Sequence, residues 1–168
     1  MAAEFSRRTN GLLNSADKVC RQRGVNLTEL RRHVLGLILD AASPMGAYEL
    51  LDRIRQTRRG AAPPTVYRSL GFLVDQGLIH KIGRLSAFIG CVAGCTAAAR
   101  GAEMHHHAAQ FLICRRCGQV VELQNQDVSM VFARAAKGAG FSVSDVAIEV
   151  EGLCYTCTSA ATAQRSNV

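Results

Sequence analysis

The chain has 168 residues, 48% of them apolar, and 20 Lys plus Arg against 13 Asp plus Glu give it a net charge of +7. That length allows one sizeable domain or two small ones; no apolar run approaches the roughly 20 residues a bilayer span needs, and Met1–Arg8 lacks the apolar stretch of a secretory signal. The expected compartment is therefore the cytoplasm, where seven cysteines are read as ligands, nucleophiles or buried thiols before disulfides.

From Asn10 to Gly24, Leu13, Ala16, Val19 and Cys20 recur at helical spacing and Gly24 supplies a stop. Cys20 is then expected in the core. Thr28 caps a second helix with an inward stripe of Leu30, Val34, Leu37 or Ile38, and Ala41. A third runs from about Gly46 to Gln56 with Leu50, Leu51 and Ile54 inward, and Arg53, Arg55, Arg58 and Arg59 crowd its far end. Asp52 and Arg55, one turn apart, are an intrahelical pair by default.

Pro63-Pro64 opens a fourth helix whose buried face is Val66, Leu70, Leu73 and Val74, and Gly77 ends it. Thr65, Tyr67 and Arg68 are left on the outward face of its first turns, where a hydroxyl, a phenol and a guanidinium reach phosphates and base edges. Leu78–Ile82 and Leu85–Ile89, separated by Gly83-Arg84, form a short hairpin. Helices followed by such a hairpin make a winged helix. The charge supports a polyanion partner: residues 1–84 carry 14 basic and 7 acidic side chains, net +7, whereas residues 85–168 carry 6 and 6. Read singly, each arginine from 53 to 59 is an ordinary solvated helix end; the clustering around one helix is what points to DNA.

The second half holds two Cys-x2-Cys pairs, Cys114/Cys117 and Cys154/Cys157. Each spacing directs two thiolates at one ion, and four sulfurs close a tetrahedral zinc site with no position left for water. The 36 residues between the pairs leave room for a strand at Gln119–Leu123, a helix from about Asp127 to Lys137, and a strand around Val146, Ile148 and Val150. The architecture expected is α+β, a winged helix followed by a small zinc-stapled α/β unit. Further donors remain: His80, Cys91, Cys95, Glu103, His105, His106, His107 and Glu122. His80, Cys91, His107 and Glu122 would make a mixed site suited to zinc. Composition alone leaves that second site open.

Four collinear segments carry a resemblance that spans roughly residues 10 to 157. They are Pro63-Pro64-Thr65-Val66-Tyr67-Arg68-Ser69-Leu70, Gly77-Leu78-Ile79-His80-Lys81, the stretch from His107 to Gly118 around Cys114-Arg115-Arg116-Cys117, and Gly152-Leu153-Cys154-Tyr155-Thr156-Cys157. Together they resemble the ferric-uptake-regulator superfamily, and within it the zinc-uptake regulators. The resemblance implies a homodimeric transcription factor, mainly a repressor, that binds palindromic operator DNA when loaded with zinc and controls zinc uptake and homeostasis genes. It implies a winged helix over 1–84, a hinge over 85–92, and a dimerisation domain over 93–157; residues 158–168, small and polar where the family usually carries a His- or Cys-rich tail, are expected to be flexible. Two zinc ions per chain follow, a structural one on Cys114, Cys117, Cys154 and Cys157 and a regulatory one on His80, Cys91, His107 and Glu122. Tyr48 and Arg68 fall on the family's base-contacting positions, and two dimers per operator are an option.

The segment from Val92 to Met104 departs from the family pattern; with Cys95, His105 and His106 it offers a weaker additional metal site, or a loop with incidental ligands. Iron, manganese and peroxide sensors are the nearest alternatives, and Cys91 among the hinge ligands favours zinc over them. A zinc deaminase would need His-x-Glu with Pro-Cys-x2-Cys, which the chain lacks. A thiol oxidoreductase would need a low-pKa cysteine in a thioredoxin-like setting. The expectation is a regulator and not an enzyme.

Overall fold

Ser6 and Thr28 each hold the chain extended and accept a hydrogen bond from the amide three residues on, 3.2 Å from Thr9 and 3.5 Å from Arg31. These caps start α1 (Arg7–Gln22) and α2 (Glu29–Asp40). The computed structural model describes residues 5–96, 109–123, 125–143 and 147–159, which divide into one compact unit over residues 1–105 and a second over 106–168. The tail expected from 158 lies mostly outside the described residues, as does Val146.

In the first unit α2 is followed by β1 (Met45–Gly46), α3 (Ala47–Thr57), α4 (Pro63–Asp75), the hairpin β2 (Ile79–Ile82) and β3 (Ala87–Gly90), and a short α5 (Val92–Thr96). The helical stripes read from the sequence largely turn inward: Leu13, Val34, Ile38, Leu50, Ile54, Val66, Leu70 and Leu73 are all nearly inaccessible and Cys20 joins them, while on α2 Leu30 and Leu37 stay half-buried and Leu35, not in the expected stripe, is fully buried. Burying each such aliphatic side chain stabilises the unit by about 1.5–3 kcal/mol relative to leaving it in water. The hairpin turns through Gly83–Ser86, so the second strand starts two residues later than hydropathy suggests, and β1 joins it to give a three-stranded antiparallel sheet in the order β1-β3-β2.

Gly77 ends α4 in the left-handed region, φ +64°, where a side chain would cost energy and glycine does not. Its amide bonds the Val74 carbonyl at 2.8 Å and the Leu78 amide bonds Leu73 at 2.9 Å, the paired bonds that satisfy the last carbonyls of a helix. Beyond the hairpin the chain does not leave the unit at once, because α5 packs against α1 with Cys95 fully buried in the same core.

The second unit is a sheet in the order β5-β4-β6, built from β4 (Ala109–Cys114), β5 (Val120–Leu123) and β6 (Ala147–Gly152). β5 is antiparallel to β4, while β6 is parallel to it. A parallel neighbour needs a crossover, which α6 (Gln126–Gly138) provides. Asn125 caps α6 through the amides of Asp127 and Val128, and the Gln110 side-chain amide ties it to β4 through the Asn125 carbonyl at 2.8 Å and the Ser129 hydroxyl at 2.9 Å.

Thr9 is buried and gives its hydroxyl proton to Asp40 at 2.7 Å, fastening the start of α1 to the end of α2. That bond, with help from Ser6, holds the Asp40 carboxyl below its ordinary range. A lowered carboxylate pKa contributes stability that is present above the unfolded value and is lost as pH falls through the folded one. Thr9→Val should return the Asp40 pKa toward 3.8 in an NMR titration and make unfolding less sensitive to acid over that range. An unchanged Asp40 titration would show that the hydroxyl is not responsible.

Candidate metal centres and nucleic-acid face

Cys114 is the last residue of β4, and the chain then turns tightly: the Gly118 amide returns to the Cys114 carbonyl at 2.8 Å with Gly118 at φ +72°. Cys117 is thereby brought beside Cys114. β6 runs parallel to β4, with Gly152 opposite Cys114, so the second pair emerges at the same end of the sheet. The Cys154 amide donates to the Cys114 sulfur at 3.3 Å, the Cys117 and Cys154 sulfurs are 3.7 Å apart, and all four ligand sulfurs lie within 4.8 Å of one another. Arg116 reaches across to the Cys157 carbonyl at 3.1 Å, and the Arg115 amide bonds Gly152 at 3.0 Å. The arginines between the first pair thus clamp the second.

The electrostatics of the quartet are uneven. Backbone amides, that of Cys154 first and then those of Cys117 and Arg116, lower the Cys114 pKa to about 6. Burial, reinforced by the three neighbouring cysteines, pushes Cys157 up to about 12. The backbone amides thus favour negative charge on Cys114, while burial and its neighbours favour the neutral thiol on Cys157. Four convergent soft donors with backbone support are the donor set of a closed zinc site. The arrangement can hold an ion and offers no open position for chemistry.

In the first unit His80 sits on β2 opposite Ile89, and Cys91 follows β3 with its amide bonded to the Leu78 carbonyl at 2.9 Å. The pairing brings a His nitrogen and the Cys91 sulfur within 4.8 Å of one another. Cys91 is fully buried and its sulfur accepts from the Gly94 amide at 3.2 Å. In the second unit Glu122 lies half-buried on β5 opposite Phe111. His107, His105, His106 and Glu103 lie outside the described residues. Cys95, read from the sequence as a spare ligand, packs in the apolar core, points its thiol at the Leu78 carbonyl 3.8 Å away, and is pushed by burial to about 12. A thiol so placed is a core residue.

Tyr48 on α3 and Thr65, Tyr67 and Arg68 on the first turns of α4 are all exposed, with Tyr48 71% and Tyr67 50% accessible. Apolar neighbours Val66 and Leu70 point the other way. The arginine cluster is less free than its sequence suggests: Arg53 pairs with Glu49 at 3.1 Å, Arg55 with Asp52 at 3.9 Å, and Arg58 with Glu29 at 2.7 Å. Exposed pairs of this kind are worth only about 0–1 kcal/mol, so they reorganise readily, but they dilute the local positive field. Sequence reading overlooked Gly94 and the whole of α5. The one available signal was the Gly-Cys pair following Cys91.

Replacing Cys114 removes both a thiolate and the acceptor of the Cys154 amide. Cys114→Ser should lose the zinc that the parent retains through dialysis, and the Cys154 amide should exchange with solvent faster, while Leu13 and Leu70 in the first unit keep their packing by NMR. Full zinc retention in the variant would exclude these four sulfurs as the ligand set.

The family model described as ferric uptake regulator family matches residues 22–151. The zinc uptake regulation protein of Escherichia coli strain K12 is 36% identical over 149 residues, covering 89% of this chain and 82% of that protein. A solved structure of a zinc uptake regulator complexed with zinc and DNA superposes with a TM-score of 0.83 at 34% identity, covering 94% of this chain and 99% of that one. The crystal structure of holo XcZur superposes at 0.76 with 40% identity, covering 89% and 99%. With the winged helix, the cysteine quartet and these likenesses in agreement, the chain belongs to the ferric uptake regulator family, among its zinc uptake regulators.

Proposed function

We propose that this protein is a zinc-responsive transcriptional regulator that binds operator DNA when loaded and represses genes of zinc uptake. One observation carries the reading: the His80–Cys91 pair, two donors within 4.8 Å, is built into the same small unit that presents Tyr48, Thr65, Tyr67 and Arg68 to solvent. A cation held there is sensed by the DNA reader itself. His80, Cys91, His107 and Glu122 are the proposed regulatory set, with the cysteine quartet as a second, structural zinc site, two ions per chain. The thiolate in the regulatory set favours zinc over iron or manganese.

The reader works through α4. Thr65, Tyr67 and Arg68 on its first turns, with Tyr48 beside them, take phosphate and base-edge contacts in a major groove. The partner in solution is a second copy of this chain. The second unit leaves a cross-strand row exposed, Val121 opposite Leu112 opposite Val150, together with Met130, Val131 and Phe132 on α6; a row of this kind belongs against another apolar surface. Two readers on one dimer match the two halves of a palindrome, and longer operators accommodate a second dimer. If zinc moves the DNA-competent fraction from 1% to 99%, it must favour that state by about 5.5 kcal/mol.

The test is a titration of DNA binding against buffered free zinc, using a duplex selected from random sequence by the zinc-loaded parent. Cys91→Ser should keep the fold and the quartet zinc yet lose the zinc-dependent gain in binding, whereas Cys114→Ser should lose folding of the second unit. Arg68→Ala should narrow the gap between selected and random duplex by about 1–3 kcal/mol, with affinity in all cases falling steeply with salt. Recovery of a chelated sample by ferrous or manganous ions, but not by zinc, would overturn the assignment of the metal. Equal loss on both duplexes would overturn the role of Arg68. Leu112→Glu with Val150→Glu should give a monomer by sedimentation, and a persistent dimer would move the interface elsewhere.

A further inference from the structure

Gly94 touches two things at once. Its amide donates to the Cys91 sulfur at 3.2 Å, and its α-carbon lies so close on the Gly77 turn that a Cβ would overlap the Gly77 carbonyl oxygen, fall 2.9 Å from the Gly77 carbonyl carbon and 3.3 Å from the Cys91 sulfur. No side chain fits there unless α5 lifts away from the turn. Gly77 in turn is the residue that ends α4, through the bonds from Gly77 to Val74 and from Leu78 to Leu73. The Leu78 carbonyl then receives the Cys91 amide at 2.9 Å and faces the Cys95 thiol at 3.8 Å.

From this juxtaposition we propose that Gly94 is a positioning residue that couples the Cys91 thiolate to the C-terminal end of the reader helix α4. The inference rests on the zinc-sensing reading and goes beyond it, since neither Gly94 nor α5 is a ligand or a DNA contact. When Cys91 is engaged by a cation, its sulfur fixes the Gly94 amide, α5 stays seated on the Gly77 carbonyl, and the end of α4 is held in one arrangement. Without a cation on Cys91, α5 is held by its packing on α1 and by the buried Cys95, and the Gly94 amide is less firmly fixed. The coupling is contained within the first unit.

Gly94→Ala is the test, read as the ratio of DNA affinities with and without zinc on the duplex selected by the parent. The variant should keep the quartet zinc and its zinc-free DNA affinity but lose about tenfold of the zinc-dependent gain, within the usual size of such couplings. By linkage, the tightening of zinc by DNA must shrink by the same factor; a residue that merely stabilises the fold would weaken binding in both states and leave the ratio intact. An unchanged ratio in a folded variant overturns the proposal. Should Gly94→Ala fail to fold, hydrogen exchange of the unsubstituted protein decides: zinc should slow the amides of Gly94, Gly77 and Leu78 together, and slowing of Gly94 without Gly77 and Leu78 overturns it. If the parent itself shows no zinc-dependent DNA binding, the function proposed above fails first, and the two failures are distinguished.

Discussion

Three consecutive carbonyls at the end of α4 hold the first unit together in a way its apolar core alone would not. Gln76 accepts the Arg23 guanidinium from the end of α1 at 2.6 Å, Gly77 lies under Gly94, and Leu78 accepts the Cys91 amide. These three carbonyls serve other elements because Gly77 turns left-handed and the last carbonyls of α4 are satisfied by the amides of Gly77 and Leu78. The helix that carries Tyr67 and Arg68, the strand that carries His80 and the segment that carries Cys91 therefore share one backbone fulcrum. Hydrophobic burial stabilises the unit, but it is non-directional. The directional bonds at this turn set where α4 stands relative to His80 and Cys91.

The second unit is governed by the opposite problem, too little core. α6 contributes no fully buried residue, and the row Val121, Leu112 and Val150 stays exposed. A three-stranded sheet backed by α6 is close to the lower limit of what burial can stabilise. The cysteine quartet sits where β4 and β6 end side by side, so a cation held there would tie the two strands joined only through a long crossover. Backbone amides aimed at Cys114 favour its charged form, whereas burial favours the neutral thiol of Cys157.

Much of this was legible in the sequence because it is local. Helices α1 to α4 follow from periodic apolar residues, from caps at Thr28 and Pro63 and from stops at Gly24 and Gly77; the cysteine quartet follows from two knuckle spacings. Non-local features were not legible. β1 is two residues long and exists only because β3 pairs with it. The five residues of α5 are too few to show a helical period, and their place is set by Leu78 and Gly77, more than a dozen residues earlier. Cys95 has the chemistry of a ligand and the position of a core residue, and spacing cannot separate the two. Arg58 meets Glu29 across 29 residues, so a cluster that reads as free positive charge is partly paired in the fold.

That pairing bears on how the charge of the first half is used. Seven net positive charges in residues 1–84 raise the attraction of the unit for any polyanion, yet Arg53, Arg55 and Arg58 spend part of their time on Glu49, Asp52 and Glu29. Exposed pairs exchange partners at little cost, so phosphates can recruit these arginines, but the recruitment is the same on every sequence and at every zinc level. Charge therefore supplies affinity without selectivity. A cation at His80 and Cys91 adds two positive charges beside a thiolate, a small increment against that background and one that salt would screen. On the proposed reading, selectivity for sequence comes from the exposed turn of α4 and responsiveness to metal from whatever fixes that turn, which returns the burden to the backbone at Gly77 and the helix seated on it.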